Sequence, residues 1–128
     1  MQLNLCPLFS GSSGNSVYVA CGGVKLLVDA GVSATRVEAN LREIGVDIRE
    51  IDAILVTHEH VDHVRGLGVL CRRFGLPVYA NEGTWQGIVQ RESGIPPKCV
   101  RTFYTGEDFY IGALNVNPFP FPHDAADP

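Results

Sequence analysis

Hydrophobic residues along this chain switch repeatedly between a strand-like and a helix-like spacing, and the alternation predicts an α/β fold. Residues 3–9 and 17–21 read as strands on either side of a loop of small residues, and Lys25-Leu26-Leu27-Val28 reads as a third. Helical spacing then takes over: Val37, Leu41 and Ile44 share one face of a helix predicted over 33–44. Ser33 caps it, Glu38 and Arg42 stand four apart for pairing, and Gly45 ends it. Residues 51–56 are rich in β-branched and aliphatic side chains, as suits a short strand covered on both faces. Asp62 and His63 open a predicted helix that carries Val64, Leu67, Leu70 and Phe74 on its apolar face. Beyond it come a strand at 77–80, a helix at 82–92, a strand at 100–103 and a hairpin over 106–118 that turns at Gly112-Ala113. Pro118, Pro120 and Pro122 alternate with Phe119, Phe121 and His123, which fixes an extended backbone that either presents His123 to a site or frays.

The chemistry gathers in Thr57-His58-Glu59-His60-Val61-Asp62-His63, directly after the apolar run Ala53-Ile54-Leu55-Val56. Ligands of open α/β sheets bind outside the carboxyl ends of strands, so a polar cluster there is where a site is expected. His58 and His60 are two apart and share one side of an extended chain, while Asp62 and His63 start the following helix. One loop therefore offers two pairs of ligands. Imidazole and carboxylate suit zinc, manganese or iron, and three ligands with an open position make a catalytic rather than a structural site. A surface loop that happens to be rich in histidine is the competing reading. The clustering after a strand counts against it, since the chain has 4 histidines and only His123 lies elsewhere.

At these residues the chain resembles the metallo-β-lactamase superfamily, whose signature is H-x-H-x-D-H. The resemblance implies a metallo-β-lactamase-like αββα sandwich, of which this chain is mainly the N-terminal αβ half. It also implies two divalent metal ions, zinc or manganese with iron also fitting. His58 and His60 bind the first together with a later histidine, for which His123 is the candidate, and Asp62 and His63 belong to the second. His58, His60 and Asp62 form the catalytic set on this reading. Family members carry an acidic residue at the end of an earlier strand, a place taken here by Asp29, which would hold a ligand imidazole in one tautomer. An ordinary cap before the 33–44 helix is the other reading of Asp29.

Further motifs narrow the resemblance to a cytoplasmic branch of the YycJ/WalJ type: the loop Ser10-Gly11-Ser12-Ser13-Gly14-Asn15-Ser16, Gly83-Thr84-Trp85, and His123-Asp124-Ala125-Ala126-Asp127-Pro128. Relatives of that branch imply a 5′-to-3′ exonuclease acting on double-stranded DNA. An RNA-processing nuclease, a thioester or lactone hydrolase, and a catalytically silent metal-binding half-domain are the alternatives. From its residues alone the Gly/Ser loop is either a cradle of backbone amides for an oxyanion or a flexible connection. No lysine follows it in a nucleotide-binding pattern. Trp85 either lines the groove or packs.

With 128 residues and 45% apolar composition the chain makes one domain, residues 1–128, with a real core. That is short for the superfamily, in which a second α/β half supplies a bridging Asp and a further His. The expectation is a domain truncated on its C-terminal side, completed by a missing C-terminal half or by a homo-oligomer, with Asp124 and Asp127 poor substitutes. The 10 basic and 14 acidic residues give a net charge of −4, so no strongly basic DNA-binding surface is present. Arg65, Arg72 and Arg73 either contact a nucleic-acid backbone or, as helical spacing favours, form the solvated face of their helix. Cys6, Cys21, Cys71 and Cys99 form no C-x-x-C pair and read as buried free thiols of a reducing compartment. Without a signal peptide or a membrane-spanning run, the sequence predicts a cytoplasmic protein that does not engage membranes.

Overall fold

The computed structural model describes residues 3–9, 14–92 and 94–118. Six strands form one sheet in chain order: β1 (Leu3–Phe9), β2 (Ser16–Cys21), β3 (Val24–Val28), β4 (Ala53–Leu55), β5 (Val78–Asn81) and β6 (Val100–Phe103). The first two pairings are antiparallel and the next three parallel. Parallel neighbours need crossover segments, and these are the helices α1 (Ala34–Glu43), α2 (Val61–Val64), α3 (Leu67–Phe74) and α4 (Glu82–Arg91). No helix among the described residues is long and apolar enough to cross a membrane.

Strand alternation sorts the two faces of the sheet. Leu27, Ile54, Val56, Val78 and Ala80 face the helices and pack with Val37, Leu41, Val64, Leu67, Leu70, Trp85 and Ile88. Their neighbours Leu26, Ala53, Leu55 and Tyr79 turn to the other face, where Ile111, Leu114 and Val116 pack on them. Those last residues belong to a separate hairpin, β7 (Phe109–Ile111) and β8 (Leu114–Val116). Phe109 extends the cover, its ring 5.4 Å from Tyr79 and 5.1 Å from Phe103.

Two predicted elements are shorter than the hydrophobic pattern suggests. The strand expected over 51–56 is β4 alone, because a 3-10 turn at Ile48–Glu50, capped by Asp47, leads directly into it. The helix expected from Asp62 to Phe74 is broken after Val64. In an unbroken helix the His63 carbonyl would accept from Leu67. Here it accepts from Ala30 N at 2.9 Å, and Gly66 N donates to Ala30 O at 2.8 Å. A Cβ at position 66 would meet Val32 O at 2.5 Å, so only glycine allows the chain after β3 to lie this close. The break thus locks the metal-motif segment to the end of β3.

The helices hold their places through named contacts. Ser33 caps α1 by accepting from Arg36 N, whereas Glu38 pairs with Arg73 of α3 at 3.3 Å rather than with Arg42, because α3 packs alongside. Arg65, Arg72 and Arg73 are exposed, as a solvated face requires. Asn81 caps α4 by accepting from Thr84 N at 2.8 Å. Trp85 packs rather than lining an open groove: it is buried and donates from Nε1 to Arg101 O at 2.7 Å, tying α4 to β6. Gly87 sits in the middle of α4, where glycine costs about 1 kcal/mol relative to alanine. All four cysteines are free thiols, but only Cys71 and Cys99 are fully buried, whereas Cys6 on the edge strand β1 and Cys21 at the end of β2 are partly exposed. Burial, with Cys99 alongside, pushes the Cys71 thiol up to about 12, which leaves it protonated and inert at neutral pH.

Ile54 is fully buried on β4, immediately before the metal motif. Replacing it with alanine is expected to lower stability by roughly 2–5 kcal/mol, measured by chemical denaturation, through lost burial and the cavity left behind.

Candidate metal centre

The strand β3 is followed directly by Asp29, whose backbone takes φ +66°, the left-handed region that costs a non-glycine residue roughly 1–2 kcal/mol. Three contacts hold it there. Asp29 N donates to Leu55 O at 2.7 Å, the Ser16 hydroxyl donates to Asp29 O at 2.8 Å, and Gly31 N donates to Asn15 O at 2.8 Å. The Ser16 side chain is fully buried. The turn aims the Asp29 carboxylate across β4 at the first residues of the metal motif.

That carboxylate, 5% exposed, accepts from three donors. Thr57 N reaches Oδ1 at 2.8 Å, the Thr57 hydroxyl reaches Oδ2 at 2.6 Å, and His63 Nδ1 lies 2.8 Å from Oδ2. An ionised carboxylate only accepts, so His63 carries its proton on Nδ1, which makes Nε2 the nitrogen that bears the lone pair. The same logic passes through Thr57. Its hydroxyl has one proton, given to Asp29, so its 2.8 Å contact with His58 Nδ1 is one in which the imidazole donates. One buried carboxylate therefore sets the tautomer of two histidines from opposite ends of the motif.

The rings are close together. His58 and His63 have centroids 4.5 Å apart, and His58 and His60 6.2 Å apart with planes inclined by 28°. His58 is buried, and His60 and His63 are partly exposed. Donor atoms of Asp29, His58 and His63 lie within 4.8 Å of one another, a separation one divalent cation can bridge. Within that group Asp29 is already engaged by its three donors, which suits it to orienting imidazole rather than to ligation. Nitrogen donors with their second nitrogen fixed by a carboxylate or a hydroxyl are the arrangement that zinc, manganese and iron sites use, and the residues fit such a cation.

The fold brings His58, His60 and His63 together with Asp29. Asp62 lies on the first turn of α2 with its side chain outside the described residues, whereas His123, Asp124 and Asp127 lie wholly outside them. Most of the Gly/Ser loop, Ser10 to Ser13, lies outside them as well. Asp29 is not the cap of α1, a role Ser33 fills. Thr57 was passed over by the sequence pattern, although a hydroxyl directly before the first histidine is a signal for it. Glu59, 9% exposed between two histidines, was passed over too.

Above their pKa values, His58 and His63 are expected to show the Nδ1–H tautomer in long-range 1H–15N NMR spectra. Thr57→Val should release that preference in His58 and leave it intact in His63. Loss in both rings together would contradict the bridging role of Thr57.

The sequence matches the model of the metallo-beta-lactamase superfamily over residues 10–122. It is 44% identical to exodeoxyribonuclease YycJ of Bacillus anthracis over 128 residues, covering 100% of this chain and 48% of that protein. To exodeoxyribonuclease WalJ of Streptococcus pneumoniae serotype 2 (strain D39 / NCTC 7466) it is 42% identical over 123 residues, 94% of this chain and 46% of that one. Among solved structures, Rm3 metallo-beta-lactamase superposes with a TM-score of 0.74 at 26% identity, over 96% of this chain and 53% of that chain. The chain thus spans about half the length of the relatives it matches.

Proposed function

This chain belongs to the metallo-β-lactamase superfamily, and from that premise we propose that it is the metal-binding half of a hydrolase that degrades double-stranded DNA from the 5′ end. The observation that carries the proposal is the 44% identity, over the 128 residues of this chain and 48% of the relative, to a protein named as an exodeoxyribonuclease, joined to an Asp29–Thr57 network that organises the imidazoles of the motif. The proposed unit comprises residues 1–128, with further ligands supplied by a longer chain or a second copy. A cytoplasmic location accords with four free thiols.

In this reading His58 and His60, with His123, hold one divalent cation, and Asp62 and His63 take part in holding another. Zinc or manganese is the proposed pair, and iron also fits the donor types. Such cations supply Lewis acidity toward a phosphoryl group and lower the pKa of bound water to about 7. The chain's own part is orientation. Asp29 and Thr57 keep Nδ1 of His63 and His58 protonated, so that each ring presents Nε2 and neither spends binding energy on choosing a tautomer. Burial of the Asp29 carboxylate strengthens both hydrogen bonds and shields them from competing water. Imidazoles held in this way need little reorganisation when the substrate arrives.

The test uses the full protein with zinc or manganese and duplex DNA labelled separately at its 5′ and 3′ ends. Early release of the 5′ label, loss of activity with a chelator, and a fall of roughly 100-fold or more in Asp62→Ala with an unchanged melting curve are expected. Cleavage of labelled RNA or of a thioester with duplex DNA left intact would contradict the proposal, as would full activity in Asp62→Ala.

A further inference from the structure

Between the two histidines of H-x-H stands a buried acidic residue whose side chain rests on a helix. Glu59 is 9% exposed, and its stem lies over Gly87 in the middle of α4. A Cβ at position 87 would come within 2.5 Å of Glu59 Cβ, and nearer still to its Cγ. Carbon atoms pack at about 3.5–4.0 Å, so a methyl group there would demand a displacement of about 1 Å. A change of rotamer at Glu59 gives no relief, because its Cβ is fixed by the backbone.

Either the helix or the loop would have to give, and the helix is held at both ends. Its N-terminus is capped by Asn81, and Thr84 and Ile88 are fully buried. Trp85 Nε1 is bonded to Arg101 O on β6, and the Glu92 carboxylate just past the helix accepts from Gly68 N of α3 at 3.2 Å. The loop carrying His58, Glu59 and His60 is the part that would move, and both imidazoles would move with it.

We infer that Gly87 is a positioning residue for the metal centre: the absent side chain makes a slot in α4 that seats Glu59 and thereby sets where His58 and His60 stand. The inference rests on the metal-centre reading proposed above. It also accounts for a glycine in a helix interior, which helix propensity disfavours. Ligand geometry tolerates errors of roughly 0.5 Å, and the expected displacement exceeds that.

Cobalt(II) titrated into the full protein tests it, with affinity and d–d absorption spectrum as readouts. Gly87→Ala is expected to weaken binding roughly 10- to 100-fold and to alter the spectrum. The double variant Gly87→Ala with Glu59→Gly moves the bulk from the loop to the helix, and is expected to regain affinity and spectrum toward wild type. Wild-type binding by Gly87→Ala would overturn the inference, and so would a double variant no better than the single one. If Gly87→Ala fails to fold, recovery of folding and cobalt binding in the double variant supports the slot, and failure of both overturns it. A wild-type protein that binds no cobalt would instead overturn the metal-centre reading, and this inference with it.

Discussion

The Asp29 carboxylate is the group on which the rest of the site depends. It is buried, it carries a charge that must be compensated, and it finds compensation in three donors that all belong to the metal motif. Because an ionised carboxylate can only accept, its position dictates proton positions up to two bonds away in the network, through Thr57 to His58 and directly to His63. An electrostatic demand of the core is thereby converted into imidazole geometry. The left-handed backbone of Asp29 is the conformational cost, and pairing to Leu55 and Ser16 holds the residue in it.

Backbone constraints complete what the carboxylate begins. Diversion of the His63 carbonyl to Ala30 breaks the helix after Val64 and clamps the second part of the motif against the segment following β3. Gly66 permits that contact from one side, and Gly87 permits the seating of Glu59 from the other. The histidines therefore stand between two close backbone approaches, both on elements anchored in the main hydrophobic core through Val64, Leu67 and Ile88. Ligands placed on rigid supports are the condition for tight and selective metal binding.

Much of this was legible in the sequence because it has a local signature. The parallel strands announce themselves as short aliphatic runs, Ser33 and Gly45 mark the ends of α1, and the spacing of His58, His60, Asp62 and His63 matches the signature of the superfamily to which the chain belongs. What the sequence hides is tertiary competition for local groups. Val64, Leu67 and Leu70 fit one helical face whether or not the helix is broken between them, and only the proximity of Ala30 decides. Glu38 meets the spacing rule for Arg42, yet Arg73 of α3 takes it. Thr57 looks like an ordinary strand-end residue until Asp29 is placed beside it, and Gly87 looks like a helix defect until Glu59 is placed over it.

The most direct measurement is the zinc affinity of Asp29→Asn in the full protein, by competition with a chromophoric chelator. Asparagine tolerates the left-handed backbone but offers one accepting oxygen and a donating amide, so either the Thr57 N–H or both the Thr57 hydroxyl and His63 face a donor, and the negative charge is lost. The account predicts zinc binding weakened roughly 10- to 100-fold, with the fold retained by circular dichroism. Unchanged zinc affinity in a folded Asp29→Asn protein would show that the carboxylate does not organise the centre, and would contradict the account at its root.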